Sequence, residues 1–397
     1  MALLSILVAI SVIVCITQSL SFRRLCHYVE GELAREPQSY CPRATVILPC
    51  KGLDPGFSEN IGKLLAQDYQ NFEVIFALAS ESDPAYPVLK EICDRAGSSS
   101  CRLVIAGINL QRAQKINNQL KALSEVGRDT EILVFVDSDV IAREDFLRCL
   151  IAPLADEAVG ATTGYRFYVA SEHNIPSLLR SLWNRMSAWE MASPQYAFAW
   201  GGAMAISKSV FDRAGVAEQW DRAADDDLSL TVAVKRLGLR VHFVPRCLVE
   251  SAGDAGVSEI IEWTNRQLIL TKVYYPRLWR RAIARAAVMA LWLTCLFASV
   301  PGLLADLNGV SLTAFLSGLS VIPVELFFLW RARHLWQKVL FDRGQYLRES
   351  FLSCCLALPV AHLILPWMTL YSVLTNRIHW RGITYELKSP VETLVIS

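Results

Sequence analysis

Four long apolar stretches restrict what this chain can become. Ala2–Leu20 carries no charged side chain, and Ala286–Leu304, Val310–Trp330 and Phe351–Leu374 are similar, interrupted only by Glu325. A helix rises about 1.5 Å per residue, so roughly 20 such residues cross the hydrocarbon of a bilayer. The chain begins Met-Ala-Leu-Leu, without the basic start of a cleaved signal, and Arg23 and Arg24 follow the first stretch. That stretch therefore reads as an uncleaved anchor, residues 1–22, with the next domain on the cytoplasmic side. Glu325 is expected to face protein or water. Arg331–Arg348 and Arg377–Arg381 are both basic. Three clean spans would put one of those regions outside, so one segment is expected to be re-entrant, with Pro359 and Pro366 as breaking points.

Between the first and second stretches the pattern is that of a water-exposed α/β unit, residues 43–256. Apolar runs at Thr45–Pro49, Phe72–Ala79, Arg102–Ala106, Ile132–Val136, Val159–Phe167 and Arg240–Pro245 alternate with helical patterns. Such alternation predicts a parallel sheet with helices on both faces. Ile260–Trp279 then mixes Trp263, Tyr274, Tyr275 and Trp279 with Arg266, Lys272 and Arg277. That mixture suits interfacial helices, 257–285, with a packed soluble helix as the plain alternative. Residues 286–375 are assigned to membrane helices and 376–397 to a tail.

Composition excludes some classes. Net charge is +1, so no nucleic-acid partner is expected. Eleven cysteines show no Cys-x-x-Cys pair, and Cys15, Cys295, Cys354 and Cys355 lie in the apolar stretches. Neither a zinc site nor a disulfide framework is indicated, and reduced thiols are expected.

The chemistry-bearing residues fall just after strands or before helices. Asp137 and Asp139 follow the Ile132–Val136 strand, where open α/β sheets bind ligands. Two acids one residue apart can face a hard cation, and a cation can hold a diphosphate; a turn is the plain alternative. Asp83 suits a hydrogen bond to a nucleotide, or is a solvated loop acid before Pro84. Lys115, in Gln114-Lys115-Ile116-Asn117-Asn118, can hold diphosphate oxygens or be an exposed helix lysine. Asp225-Asp226-Asp227 precedes a helix, where one acid makes a good cap. Three exceed what a cap requires, and crowding raises the pKa of one, as a general base needs. Asp227 or Asp226 is the candidate base. Gly201-Gly202 lets backbone approach an acceptor, or is simply a turn.

Taken together, Leu48-Pro49-Cys50-Lys51-Gly52-Leu53-Asp54-Pro55, Ser82-Asp83-Pro84, Gln114–Asn118, Val136-Asp137-Ser138-Asp139 and Asp226-Asp227-Leu228 resemble family 2 glycosyltransferases. The likeness is greatest to the ceramide glucosyltransferase branch and its bacterial lipid-glycosylating relatives, and runs from about Thr45 to Trp279. The resemblance implies a GT-A (Rossmann-like) fold, a nucleotide-sugar donor with UDP-glucose the family-weighted expectation, Mg²⁺ or Mn²⁺, and inversion at the anomeric carbon. By position it gives nucleotide-sugar binding to Pro49, Lys51, Asp83, Lys115, Asn117 and Asp137, metal to Asp137 and Asp139, and catalysis to Asp227 with Asp226. A lipid acceptor would enter from the membrane side past Gly201, Gly202, Trp263, Arg266 and Gln267.

One departure stands out. The family's Gln/Arg-x-x-Arg-Trp motif aligns with Glu259-Ile260-Ile261-Glu262-Trp263, keeping the Trp but placing acids at both polar positions. Arg266 and Gln267 stand ready to supply donors from the next turn. The leading expectation is a multi-pass enzyme moving one sugar to a lipid hydroxyl such as that of ceramide. A processive polysaccharide synthase, a non-catalytic nucleotide-sugar-binding scaffold and, more weakly, a transporter are the alternatives.

Overall fold

In the computed structural model the described residues are all but 1, 37–38, 98–99, 171, 173, 306–308, 341–343 and 397. Residues 341–343 of the basic segment after the third apolar stretch lie outside them. The first helix, α1 (Ala2–Ala34), does not stop where the apolar stretch ends. It runs on past Arg23 and Arg24 into the soluble unit. There Tyr28 Oη donates to the Phe243 carbonyl at 2.7 Å and Leu33 O accepts from Arg246 at 2.7 Å. The helix that carries the first apolar stretch thus also bonds directly to the α/β unit.

The strands are β1 (Ala44–Pro49), β2 (Phe72–Leu78), β3 (Cys101–Ile105), β4 (Ile132–Val136), β5 (Val159–Val169), β6 (Ala203–Ser207) and β7 (Arg240–Ala252). They form one sheet in the order β3-β2-β1-β4-β6-β5-β7. β1, β2, β3 and β4 pair in parallel, as do β5 and β7. β6 runs antiparallel to both β4 and β5, so the sheet is mixed rather than wholly parallel. The reason is local. Gly202 O accepts from Asp137 N at 3.2 Å, so the chain enters β6 at the edge where β4 ends. A strand entered from that edge has to run back the other way.

Helices α2 (Phe57–Leu65), α3 (Ala85–Ala96), α4 (Gln114–Leu123), α5 (Phe146–Ile151), α6 (Ile175–Ala188), α7 (Lys208–Arg213), α8 (Val216–Trp220) and α9 (Asp227–Arg236) flank the sheet. The strand faces are dry: every residue of β1 and β4 is buried. One core packs Val46, Val74, Phe76 and Val134 under α2, α3 and α5. The other packs Ile47, Phe135, Met204 and Trp220 under α4, α8 and α9. Burial of this kind contributes about 25 cal/mol per Å² of apolar surface.

After α10 (Val257–Tyr274) come α11 (Pro276–Ala305), α12 (Gly309–Leu319), α13 (Val321–Val339), α14 (Gly344–Glu349) and α15 (Phe351–Leu374). α10 is packed rather than lying free. Ile260, Ile269, Leu270 and Tyr274 are buried, and Tyr274 Oη accepts from Ala224 N at 2.7 Å. Among the described residues four helices are long and apolar enough to cross a membrane: Leu4–Ala34, Pro276–Pro301, Leu312–Val339 and Phe351–Leu374. α15 passes Pro359 and Pro366 without a break, contrary to the expectation of a re-entrant bend there. Prolines are tolerated in such helices when neighbouring groups satisfy the freed carbonyls. Leu312–Val339 is also nearly continuous: at Ser320, between α12 and α13, the backbone stays helical and its N–H donates to Leu316 O at 3.0 Å.

Residues 377–395, expected to be a tail, form a second, antiparallel sheet: β8 (Arg377–Trp380), β9 (Ile383–Ser389) and β10 (Glu392–Val395). Ile378, Tyr385 and Leu387 bury into the α/β core. The short sequence runs gave no periodic signal strong enough to announce it.

Candidate active site

The carboxyl ends of β1 and β4, the outer half of β5 and the entry to β6 meet at one edge. Pro49 and Lys51 leave β1, Asp137 and Asp139 leave β4, Arg166 projects from β5, and Gly201-Gly202 leads into β6. Helix α4 brings Lys115 and α9 begins at Asp227. All of these except Gly201 and Gly202 line one cavity of about 1000 Å³.

Lys115 is the centre of the charge arrangement. Its Nζ lies 2.9 Å from Asp137 Oδ1 and 3.0 Å from Asp226 Oδ2, and donates to Gly201 O at 3.3 Å. Burial alone would push its pKa down; Asp137 and Asp226 outweigh that and hold it up. Gly201 has no room for a side chain. A Cβ there would lie 2.8 Å from both Asp226 Oδ2 and Lys115 Nζ.

The three consecutive acids divide their work. Asp225 Oδ1 accepts from Leu228 N at 2.8 Å, so the capping task falls to Asp225 alone. Asp226 Oδ2 faces Lys115 and accepts from Gln119 Nε2 at 2.8 Å. Asp227 Oδ2 accepts from Gly201 N at 2.8 Å. Burial first, then the charge of Asp226, raises the pKa of Asp227 to about 6. Burial and the neighbouring acids push Asp225 well up as well. A carboxylate tuned to about 6 in a cavity suits proton abstraction near neutral pH.

Asp137 and Asp139 face cations. Arg166 Nη1 and Nη2 lie 2.7 and 2.8 Å from the two oxygens of Asp139, and Nη2 lies 3.3 Å from Asp137 Oδ2. Burial raises Asp137, while at Asp139 the same effect is overcome by Arg166 and the net shift is downward. No group of three or more His, Cys, Asp or Glu forms a metal-binding cluster among the described residues. The pair still fits a hard divalent ion. Mg²⁺ asks for one or two carboxylates and completes its shell with phosphate oxygens and water.

The structure moves two expected ligands out of the cavity. Asp83 accepts from Gly52 N at 2.9 and 3.2 Å and from Ala85 N at 2.9 Å, so it braces the loop after β1 and the start of α3. Asn117 Nδ2 donates to the carbonyls of Ala106 and Gly107, and the next residue, Asn118, lines the cavity instead. On a helix the inward face falls at one of two neighbours, and the pair Asn117-Asn118 could not show which.

Three contributors were missed in the sequence. Arg166 is the lone charge in an otherwise uncharged strand, which was the available signal. Arg381 belongs to the β8–β9 turn, where its φ of 49° is the only positive value at a non-glycine among the described residues. Its Nη1 donates to Lys51 O at 3.3 Å, its Nη2 lies 3.6 Å from Asp54 Oδ1, and its carbonyl accepts from Lys51 Nζ at 3.1 Å. Trp380 carries the Arg266 guanidinium over its ring at 5.5 Å. The small C-terminal sheet thus closes one wall.

Trp263 packs edge-on against Tyr168 at 5.6 Å and lines the cavity, as do Arg266 and Gln267. The acid at 259 has a partner of its own: Arg180 Nη1 lies 2.9 Å from Glu259 Oε1, with its guanidinium over Tyr168 at 4.5 Å. Glu262 is exposed. From this polar floor the cavity continues between α1, α6, α11, α13 and α15, where Val14, Trp183, Val288, Met289, Trp292 and Leu365 line it. One end is charged; the other is built of membrane helices, and its largely apolar lining is broken by Arg285, Glu325 and His362.

The family model described as Glycosyl transferase family 21 matches residues 3–392. Similar curated proteins include a ceramide glucosyltransferase of Gibberella zeae, 28% identical over 146 residues, and ceramide glucosyltransferase 1 of Caenorhabditis elegans, 27% identical over 125 residues. Those matches cover 34% and 32% of this chain but only about a quarter of the relatives, 26% and 25%. Among solved structures, a mannosyltransferase from Pyrobaculum calidifontis in complex with GDP-Man and Mn²⁺ aligns over 93% of this chain and 98% of its own. The TM-score is 0.50 and the identity 17%. That likeness shows the fold, which is GT-A-like with membrane helices around it.

Proposed function

The chain belongs to glycosyl transferase family 21, and from that premise we propose that it moves one sugar from a nucleotide-sugar donor to a lipid hydroxyl at the membrane surface. The observation that carries this is the single cavity joining Asp137, Asp139 and Asp227 to Val288, Met289 and Leu365. UDP-glucose and ceramide are the proposed substrates; glucose and ceramide are in line with the names of the curated relatives. The α/β unit is proposed to face the cytoplasm, on the basis of Arg23 and Arg24 after the anchor.

In this reading Asp137 and Asp139 would hold Mg²⁺ or Mn²⁺; the mannosyltransferase neighbour is in complex with Mn²⁺. When bound, the ion neutralises the diphosphate charge that develops as the sugar leaves. Lys115, Arg166 and Arg381 supply fixed positive charge around the same group. Asp83 acts through the Pro49–Gly52 loop that it braces. The acceptor oxygen attacks the anomeric carbon from the face opposite the diphosphate. The new carbon–oxygen bond forms as the bond to diphosphate breaks, with inversion, and the hydroxyl proton passes to Asp227. Gly201 N holds the Asp227 carboxylate in place.

The test is transfer of radiolabelled sugar from a panel of nucleotide sugars into membrane lipid, with wild type, Asp227→Asn, and EDTA. A discrete labelled lipid that is lost in both controls supports the reaction. Donor binding without label in any lipid points to a scaffold.

A further inference from the structure

The chain rests on the α/β unit on both sides of α15. Before it, Trp336, Val339, Leu340 and Leu347 bury into one core with Tyr165, Phe167 and Phe243 of the large sheet. After it, Ile378, Tyr385 and Leu387 bury into the core that holds Ile47 and Phe135. α15 stays close to the same unit along its whole length. Near its start Cys354 and Ala357 pack on Leu178 and Leu182 of α6. In its middle Ala361 packs with Leu179, Trp183 and Ile260. Near its end Lys272 Nζ donates to the carbonyls of Ser372 and Thr375, and Trp279 Nε1 donates to Ser372 Oγ at 3.1 Å. Its 24 residues rise about 36 Å, long enough to cross a bilayer. A single unbroken helix with both ends on one water-exposed unit, however, has both ends on one side.

The helix is two-faced. Leu352, Leu356, Leu363, Trp367, Leu370 and Leu374 recur at spacings of three, four and seven and are exposed. Cys354, Ala357, Ala361, Thr369 and Ser372 on the opposite face are buried. The outer faces of α1 and α11 are apolar in the same way, with Ile13, Ile16, Leu291 and Phe297 exposed. Depth can be read from His362, whose Nε2 lies 2.7 Å from Glu325 Oε2 and whose ring meets Trp292 edge-on at 5.6 Å. Glu325 stands six residues before Arg331, and Trp292 seven after Arg285. At helical rise α15 therefore runs about 10 Å beneath those arginines, the depth to which an in-plane helix sinks its apolar face.

We propose that α15 does not cross the membrane but lies in the leaflet adjoining the α/β unit. Its exposed leucine and tryptophan stripe sits among the acyl chains. Its other face walls the cavity through Leu358, His362, Leu365 and Thr369. Among the described residues the spans are then α1, α11 and the α12–α13 pair. Arg331–Arg348 and Arg377–Arg381 both fall on the side of the α/β unit, which removes the charge conflict of a fourth span. α15 thus sets the depth at which the cavity meets that leaflet.

The test places one spin label at a time on full-length protein in nanodiscs, at Leu352→Cys, Leu363→Cys or Leu374→Cys. Cys15 and Cys41 are replaced by serine, and the parent without an added cysteine gives the background. Accessibility to oxygen against a water-soluble nickel chelate reads the depth of each label. The three depths are expected to agree within about 5 Å. A spanning helix would instead put Leu352 and Leu374 about 30 Å apart in depth, with Leu363 near the bilayer centre. Independently, in sealed vesicles an impermeant maleimide is expected to reach Glu59→Cys on α2 and Val391→Cys after β9 from one side, and Leu304→Cys on α11 from the other. Graded depths, or labelling of the Glu59 and Val391 variants from opposite sides, overturn the proposal. So do labels shielded from both oxygen and nickel with dipolar broadening between copies, which would put a second copy of the chain on the stripe. Neither readout depends on sugar transfer.

Discussion

Arg166 grips Asp139 through two parallel contacts, Nη1 to Oδ2 at 2.7 Å and Nη2 to Oδ1 at 2.8 Å. The guanidinium stands where a divalent ion would share the same carboxylate. An ion and the arginine would therefore compete for Asp139.

Arg166→Gln removes the competitor. Without nucleotide, Mn²⁺ affinity is expected to rise at least about tenfold, because one nearby positive charge is gone. Electron paramagnetic resonance of free Mn²⁺ reads this directly. Asp139→Asn is expected to lower the affinity instead. Unchanged affinity in both would place the ion elsewhere.

Asp227 sets the pH profile. The base must be deprotonated, so kcat/KM is expected to rise with pH through about 6 and then level off. Asp225 and Asp227 share the titration, so the midpoint belongs to the pair. Asp227→Asn is expected to lower kcat by about 10²–10⁴-fold and to abolish the acid limb. The sign for stability is opposite. With its folded pKa raised above 3.8, Asp227 favours folding most below that pH, and this contribution is lost as pH rises through about 6.

Gly201→Ala tests the close approach at the entry to β6. The added methyl meets Asp226 Oδ2 and Lys115 Nζ at 2.8 Å, so both must shift. Thermal unfolding should show a loss of about 1–3 kcal/mol. Turnover should fall and donor binding should weaken with it, because the displaced Lys115 is the one proposed to face the diphosphate. Full activity would show that the Lys115 arrangement is not needed in that geometry.

Arg381 tests the C-terminal wall. Arg381→Gly relieves a left-handed backbone conformation but removes the contact to Asp54. The expected result is a donor KM raised about tenfold with a smaller change in kcat, the mark of lost binding rather than lost chemistry. An unchanged KM would make the small sheet merely structural.

Much of this architecture was legible in the sequence because it rests on periodicity. Ile132–Val136 was bounded as observed, since a five-residue apolar run between turn residues can hardly be anything but a buried strand. The Asp137/Asp139 pair and the acids at 225–227 were found because they follow such strands or precede a helix. What escaped depends on long-range geometry. The direction of β6 is set by where the chain re-enters the sheet edge. Whether Asp83 faces a ligand or Gly52 N is decided by a loop conformation. Arg166 and Arg381 reach the site from positions 29 and 244 residues after Asp137, and no local pattern connects them.

The central claim is that donor chemistry and lipid acceptor share one cavity. The most direct measurement is cross-linking by a lipid acceptor carrying a photoreactive group in its chain, mapped by mass spectrometry on the purified protein. The account predicts labels on cavity-lining residues such as Trp183, Val288 and Met289, competed away by unlabelled acceptor. Labels confined to the outer, lipid-facing surfaces of α11 and α15, insensitive to acceptor, would contradict it.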